Sequence, residues 1–186
     1  MVQRTRPREV NLKMDAAPPG RRTLTVSWED PIALAASGLN ASGLDFLRGF
    51  ATGRLPAPPI ARLMGFTLVE VESGRVVFAG EPGEQHYNPI GVVHGGLALT
   101  LLDSALGCAV HSTLPAGSRY TTLETKVNFV RPVTSSSGRL LCEGRVVHRG
   151  STIATADGRL TVEATGRLLA HGTSTCLILT AESGSM

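Results

Sequence analysis

The sequence lacks a hydrophobic run long enough to cross a bilayer. No apolar stretch in its 186 residues approaches the roughly 20 that a transmembrane helix needs. The first residues also lack the hydrophobic segment of a signal peptide, because their apolar side chains are scattered among Arg, Pro and Glu. Hydrophobic residues make up 42% and charged residues 18% of the chain. We therefore expect one folded, soluble domain with a sizeable core and no membrane association.

Cysteines and aromatic residues are scarce. The three cysteines, Cys108, Cys142 and Cys176, are odd in number, widely spaced and set among apolar residues. This pattern excludes a disulfide framework or a zinc site and predicts small buried side chains in a reducing, cytoplasmic compartment. The aromatic residues are one Trp, two Tyr and five Phe. An aryl ligand is still allowed, since a few side chains suffice to line a pocket.

The positive charge is concentrated at one end of the chain. Residues 1–22 contain six basic and two acidic residues, whereas the remainder contains 12 basic and 13 acidic residues. The body therefore has no basic stripe for nucleic acid, and no nucleic-acid partner is expected. We predict a disordered basic arm over 1–22, a folded domain with a helical extension over 23–180 and a short tail over 181–186.

Hydrophobic periodicity predicts an α+β fold. A helix over 44–50 is capped by Ser42, and a second helix over 60–64 follows Pro59. An apolar helix of roughly 17 residues begins at His94–Gly96. Strands are expected over 66–72, 75–80, 120–130, 139–148, 152–163 and 168–179, after an extended piece over 21–28.

Short connections make these strands antiparallel, with the last four in meander order. The long helix buries itself against the sheet. Its packing stripe is Leu97, Leu101, Ala105 and Cys108. Along the strand over 120–130, strict alternation places Leu123, Thr125, Val127 and Phe129 on one face.

The segment from His86 to Asp103 carries the chemistry. Its extended start breaks at Asn88–Pro89, and the long helix then opens with the Gly95–Gly96 pair. Unshielded backbone N–H groups at a helix start stabilise an anion or a developing oxyanion. Asp103 interrupts the same apolar helix, and a carboxylate there requires a partner or a task because burying an unpaired charge is costly.

The spacing of these groups along the helix predicts an interface site. Asp103 follows Gly95 by eight positions, which is roughly 12 Å along a helix axis. One small carbonyl group cannot easily touch both. If both act on one substrate, Asp103 comes from a second, antiparallel helix, which requires an isologous dimer with two shared sites.

The run Asn88-Pro-Ile-Gly-Val-Val-His94-Gly95-Gly96 followed by Asp103 resembles the signature of hotdog-fold acyl-CoA thioesterases of the PaaI-like, phenylacetate-pathway branch. The stretches over 58–66 and 128–132 are also similar to that branch. The resemblance covers about 44–179. It implies a long central helix wrapped by an antiparallel sheet, an acyl-CoA substrate, a homodimer or homotetramer, and no metal or organic cofactor.

The resemblance also implies residue roles. Asp103 serves as general base or nucleophile, the Gly95 N–H polarises the thioester carbonyl from the neighbouring subunit, and Asn88 helps to hold the carbonyl or the water. A serine on the following strand orients the water in some relatives, and Thr122 stands at the matching place here, which adds a methyl group. His94 and Gly96 are expected in supporting roles.

Each of these residues also has a purely structural interpretation. Asp103 would then be a salt-bridged helix residue, and Gly95 and Gly96 would only permit close helix–sheet packing. Asn88 before Pro89 is equally well explained as a turn former.

His94 and His86 are the two histidines of this segment. His94 suits helix-start packing and hydrogen bonding better than the role of base. A metal site from His86, His94 and Asp103 is not expected, since their spacing does not put three ligands on one face.

The sequence therefore predicts an acyl-CoA thioesterase that releases a free carboxylic acid and CoA, with the nucleotide near arginines such as Arg131 or Arg149. The main alternative is a non-catalytic acyl-CoA-binding module of the same fold. A hotdog hydratase or dehydratase is disfavoured because those enzymes pair an Asp with a His ahead of the helix. An anion-binding structural protein using the start of the helix is a remote alternative.

Overall fold

A six-stranded antiparallel sheet wraps one long helix. The computed structural model describes residues 20–180, so most of the predicted basic arm and all of the tail over 181–186 lie outside the described residues. In the described part the helices are α1 Pro31–Ser37, α2 Gly43–Ala51, α3 Pro59–Met64 and α4 Gly95–His111. The strands are β1 Phe66–Glu72, β2 Arg75–Gly80, β3 Ser118–Phe129, β4 Leu140–Arg149, β5 Ile153–Val162 and β6 Leu168–Thr180.

The predicted starts of α2 and α3 and the predicted β1–β2 hairpin are confirmed, because nearby residues determine each of them. Ser42 Oγ accepts the Asp45 N–H at the start of α2, which satisfies one of the free donors of a helix N-terminus. Pro59 occupies the first turn of α3. Gly74 has a φ of 81° in the β1–β2 hairpin, a conformation that favours glycine. These boundaries follow from local chemistry, and so the sequence was sufficient to find them.

The segment before α2 contains a helix that was not predicted. Residues 21–28 form neither a helix nor a strand, and α1 follows them. Asp30 caps α1 by accepting the Ile32 N–H at 2.8 Å. The segment is tied to the body by an ion pair between Arg22 and Glu84 at 2.6 Å. A seven-residue helix without a buried residue leaves little hydrophobic period to detect.

The strand order is β1-β2-β4-β5-β6-β3, and all neighbouring pairs are antiparallel. The predicted meander of the last four strands is therefore wrong for β3, which pairs with β6 at the far edge. β4 takes the place beside β2, and β4, β5 and β6 do form a meander. The pairing of β3 is a long-range choice that strand periodicity does not encode.

Strict alternation along β3 is also wrong. The β3–β6 register shifts between Thr122 and Glu124, so Leu123 is an extra, bulged residue. Leu123 is consequently 56% exposed, whereas the sequence pattern grouped it with Thr125. Thr122 and Thr125 both face inward and are half-buried on the two sides of the bulge.

Helix α4 packs across the concave face of the sheet. Leu97, Leu101 and Ala105 are buried as predicted, and Cys108 is partly buried. Gly144 of β4 lets the α4 backbone approach, because a Cβ there would collide with the Ala105 carbonyl. Between residues 20 and 180, no helix is both long and apolar enough to span a bilayer.

Candidate active site at the start of the long helix

The two N–H groups at the start of α4 differ in how they are used. His94 is the N-cap residue, and its Nδ1 accepts the Gly96 N–H at 2.8 Å. The Gly95 N–H has no hydrogen-bond acceptor within residues 20–180. The partial positive charge of the helix N-terminus is therefore available at Gly95 rather than at Gly96.

The loop before α4 is fixed by the Asn88 side chain and by a backbone hydrogen bond. Asn88 Oδ1 accepts the N–H groups of Ile90 at 3.1 Å and Val92 at 3.3 Å. The Asn88 carboxamide oxygen thus acts as a turn former, which leaves only its amide group for a ligand. The His94 N–H donates to the His86 carbonyl at 2.7 Å. These bonds hold the approach to the helix in one conformation.

His86 is a buried histidine in this loop. Its Nδ1 accepts the Gly83 N–H at 3.0 Å. Its Nε2 faces the Met64 backbone without hydrogen-bonding geometry and has no partner among the described residues. Burial lowers the pKa of His86, and the Met64 carbonyl offsets part of that effect. The imidazole is therefore held neutral, because protonation of Nδ1 would remove its bond to Gly83.

A cleft of about 390 Å³ opens at the N-terminus of α4. Its walls are the first turn of α4 and the segment after β3, and residues from β4, β5 and β6 form its floor. Phe129 closes it against Gly95, where a Cβ would lie 3.0 Å from the Phe129 ring. The lining residues are Val93, His94, Gly95, Leu97, Ala98, Phe129, Val130, Arg131, Pro132, Val133, Leu140, Leu160 and Ala170.

Asp103 lies on the outer face of α4 and is exposed. Its Oδ1 accepts a hydrogen bond from the Thr125 hydroxyl at 2.9 Å. It takes part in none of the ion pairs found within residues 20–180. The salt-bridged interpretation of Asp103 is thus not supported in the protomer.

Thr125 is the residue that the sequence analysis missed. The bulge at Leu123 turns Thr125 toward Asp103, while Thr122 Oγ1 faces the Cys176 thiol instead. Ser174 of β6 lies behind Thr125, with 3.3 Å between their hydroxyl oxygens. The resemblance indicated Thr122 for the supporting hydroxyl, whereas the hydroxyl that contacts Asp103 in the protomer is that of Thr125.

Two weakly acidic side chains, Cys108 and Tyr120, lie buried near Asp103. Burial raises the pKa of the Cys108 thiol to about 12, although a hydrogen bond from Tyr120 opposes this effect. Burial also raises the pKa of Tyr120 well above its ordinary value, and the Asp103 charge acts in the same direction on both groups. The Cys108 thiol and the Tyr120 hydroxyl therefore stay neutral near pH 7.

One protomer brings His94 and Gly95 together in the cleft, with Asn88 just ahead of them. Asp103 and Thr125 are not among the cleft-lining residues, and Thr122 lies further inward. Within residues 20–180, no group of three His, Cys, Asp or Glu side chains is placed to hold a metal ion. The chemistry available in the described part of the chain is a carboxylate, a hydroxyl and backbone donors.

Comparison with known proteins agrees with this fold. Residues 90–169 match the family model of the thioesterase superfamily. Human acyl-coenzyme A thioesterase 13 is 31% identical over 115 residues, which is 61% of this chain and 81% of that protein.

Two solved structures share the fold. A phenylacetic acid degradation-related protein from Ralstonia eutropha is 28% identical with a TM-score of 0.63, over 70% of this chain and 98% of its own. A Streptococcus mutans protein bound to acetyl-CoA is 30% identical with a TM-score of 0.56, over 62% of this chain and 90% of its own.

These matches define a thioester hydrolase built on the hotdog fold. The chain belongs to the thioesterase superfamily, in the branch of PaaI-type acyl-CoA thioesterases.

Proposed function

We propose that this enzyme hydrolyses an acyl-CoA to a carboxylic acid and CoA at two sites shared across an isologous homodimer. Asp103 of one protomer acts on a thioester whose carbonyl oxygen accepts the Gly95 N–H of the other. The observation that carries the proposal is the contrast between an exposed Asp103, held by Thr125, and a Gly95 N–H without an acceptor in the described chain.

Distance along α4 supports a shared site. Eight residues separate Gly95 from Asp103, which is roughly 12 Å along the axis. Asp103 also does not line the cleft beside Gly95. Pairing two α4 helices in antiparallel orientation would bring each carboxylate to the other helix N-terminus, where a dipole favours negative charge.

The exposed edge of the sheet supports the same dimer. β3 is a 12-residue edge strand, and such an edge invites pairing unless it is covered. Large apolar side chains lie exposed on it and beside it: Leu99, Leu123, Phe129 and Val130. A partner subunit that covers this edge would bury those side chains, and two such dimers would form a tetramer.

Hydrolysis follows one of two routes. In the general-base route Asp103 takes a proton from water, the water oxygen bonds to the thioester carbon, and the C–S bond breaks as the thiolate leaves. In the nucleophilic route the carboxylate itself attacks the thioester carbon, the C–S bond breaks as the CoA thiolate leaves, and water then cleaves the resulting anhydride to the product acid and the regenerated Asp103 carboxylate. In both, the Gly95 N–H stabilises the oxyanion and the Asn88 amide helps to position the carbonyl or the water.

The remaining assignments follow from the same site. Arg131 borders the cleft, which supports a role for it in binding the phosphates of the nucleotide, and no metal or organic cofactor enters either route. The cysteines at 108, 142 and 176 are free, which suits a reducing cytoplasm.

The test is release of CoA thiol from a panel of aliphatic and aryl CoA esters. Wild type is expected to turn over at least one ester, and Asp103→Ala is expected to lose at least about 10²-fold in kcat, the usual scale for a lost acid or base. Asp103→Asn keeps the shape and serves as the matched variant. Retention of wild-type turnover by both variants would refute the assignment, whereas binding without turnover by wild type would identify an acyl-CoA-binding module.

The two routes differ in where isotope from water is found. After repeated turnovers in H₂¹⁸O, label in the Asp103 carboxylate indicates the anhydride route, because water can cleave the anhydride at the enzyme carbonyl. Label confined to the product acid excludes only an anhydride that water cleaves at the enzyme carbonyl.

A further inference from the structure

Ser174 is a buried serine on β6, only 2% exposed. It pairs with Thr125 of β3 on one side and Ala156 of β5 on the other. A hydroxyl this deeply buried needs hydrogen-bond partners, since an unsatisfied one is costly. The hydrogen-bond partners of Ser174 indicate which groups it holds in position.

The Ser174 hydroxyl donates to the Glu124 carbonyl at 2.9 Å. Glu124 is the first residue of β3 to pair with β6 after the bulged Leu123. The bond therefore ties the bulge to β6, the neighbouring strand of the sheet. A bulge changes which side chain faces the core, and holding the bulge fixes the direction of the next side chain, Thr125.

Thr125 contacts two oxygens with a single hydroxyl proton. Its Oγ1 lies 2.9 Å from Asp103 Oδ1 and 3.3 Å from Ser174 Oγ. An ionised carboxylate only accepts, so the Thr125 proton goes to Asp103 when that group is charged. Ser174 uses its own proton on the Glu124 carbonyl, so the 3.3 Å approach of the two hydroxyl oxygens is a packing contact while Asp103 accepts the Thr125 proton. The rotamer of Thr125 is therefore held by its bond to Asp103 and by the bulge that Ser174 fixes.

We propose that Ser174 is a positioning residue for the hydrolytic reaction, which holds the β3 bulge and the Thr125 hydroxyl so that Asp103 is kept in its reactive orientation. This inference rests on the proposed role of Asp103. Ser174 touches neither substrate nor the reacting atoms. Its effect is on orientation, where a small displacement of a catalytic group is expensive.

The effect is expected on kcat and not on KM. With hexanoyl-CoA and phenylacetyl-CoA as probes, Ser174→Ala should lower kcat about fivefold or more and leave KM within about twofold, the scale of one lost orienting hydrogen bond. Ser174→Cys keeps the volume but donates weakly, and it should show a smaller loss of the same kind. If Ser174→Ala does not fold, the Cys variant carries the comparison.

Ser112 offers the matched control. It is also buried, at 3% exposed, and its hydroxyl donates to the Ala109 carbonyl and accepts the Gly74 N–H. Ser112→Ala thus removes an equally buried, doubly bonded hydroxyl at the far end of α4. It should lower the melting temperature as Ser174→Ala does and leave kcat unchanged. Equal losses of kcat in the two variants would overturn the proposal.

A double-mutant cycle tests whether Ser174 acts through Thr125. In a Thr125→Ala background, Ser174→Ala should lower kcat by less than about twofold, since the group it positions is gone. Additive losses would overturn the proposal. Failure of the proposed function is distinguishable, because in that case Asp103→Ala keeps wild-type turnover. If Asp103→Ala is inactive and Ser174→Ala keeps wild-type kcat, only the role of Ser174 is refuted.

Discussion

The Thr125 hydroxyl donates a 2.9 Å hydrogen bond to Asp103 Oδ1, joining strand β3 to helix α4. The two residues are 22 positions apart, and this bond is the contact that orients the carboxylate in the protomer. A carboxylate on an exposed helix face would otherwise sample several rotamers. The bond restricts Asp103 to one of them, as its proposed role in hydrolysis requires.

Replacing Thr125 should lower the rate without abolishing it. Thr125→Ala removes the hydrogen bond and should reduce kcat about tenfold, which corresponds to about 1.4 kcal/mol. Thr125→Ser keeps the hydroxyl and should stay within about threefold of wild type. Thr122→Ala, at the position that the resemblance indicates, is the comparison on the same strand, with a smaller loss of kcat expected. Steady-state CoA release measures all three, and a larger loss for Thr122→Ala than for Thr125→Ala would contradict this assignment.

His94 should matter for stability more than for chemistry. Its Nδ1 caps α4 through the Gly96 N–H, and loss of a helix cap typically costs about 1 kcal/mol. We expect His94→Ala to lower the free energy of unfolding by about that amount, and His94→Asn, which can still cap, to lower it less. Urea titration gives both values. A loss of kcat near that of Asp103→Ala, with normal stability, would instead make His94 the base.

Stability should fall in mildly acidic solution because of His86. Burial lowers the pKa of His86 below its ordinary value of 6.5, so the unfolded chain binds a proton that the folded one excludes. The contribution of His86 is complete above about pH 6.5 and is lost as the pH falls through the window below that value.

The matched variant for this effect is His86→Gln. It should flatten the dependence of the unfolding midpoint on pH between about 6.5 and 5. The flattening should be partial, because burial also lowers the pKa of His111. An unchanged slope in the variant would show that His86 is not the titrating group.

The thiols should resist alkylation in the folded protein. Burial raises the pKa values of Cys108, Cys142 and Cys176, and the thiolate is the reactive form. At about pH 8, iodoacetamide should label none of the three in native enzyme and all of them in urea. Mass spectrometry of the labelled protein measures this, and rapid native labelling of Cys142 would show that its strand opens easily.

Some of this architecture was readable from periodicity alone. The boundaries of β1 and β2 were predicted to the residue, and the start of α4 followed from its glycine pair. Hydrophobic period and turn residues act over a few positions, so a single sequence suffices to read them. Helix α1 was not predicted because it has no buried face that would give a hydrophobic period.

The candidate site also has a part that the sequence predicted and a part that it did not. The sequence identified Asp103, Gly95, Gly96, His94 and Asn88 as the residues of interest. It did not separate the two glycine N–H groups, because the His94 side chain that caps Gly96 depends on the conformation of the preceding loop. It also placed the supporting hydroxyl at Thr122, three residues from the one that contacts Asp103.

The sequence by itself determined the class of fold, the helix that carries the carboxylate and the glycine pair that opens it, because these features depend on side-chain period and on local backbone freedom. Only the tertiary structure decided that β3 lies at the sheet edge, that its bulge turns Thr125 toward Asp103, and that Ser174 stands behind it. The physical reason is that a one-residue shift of register costs little locally, and is selected by the long-range pairing and burial of the whole sheet.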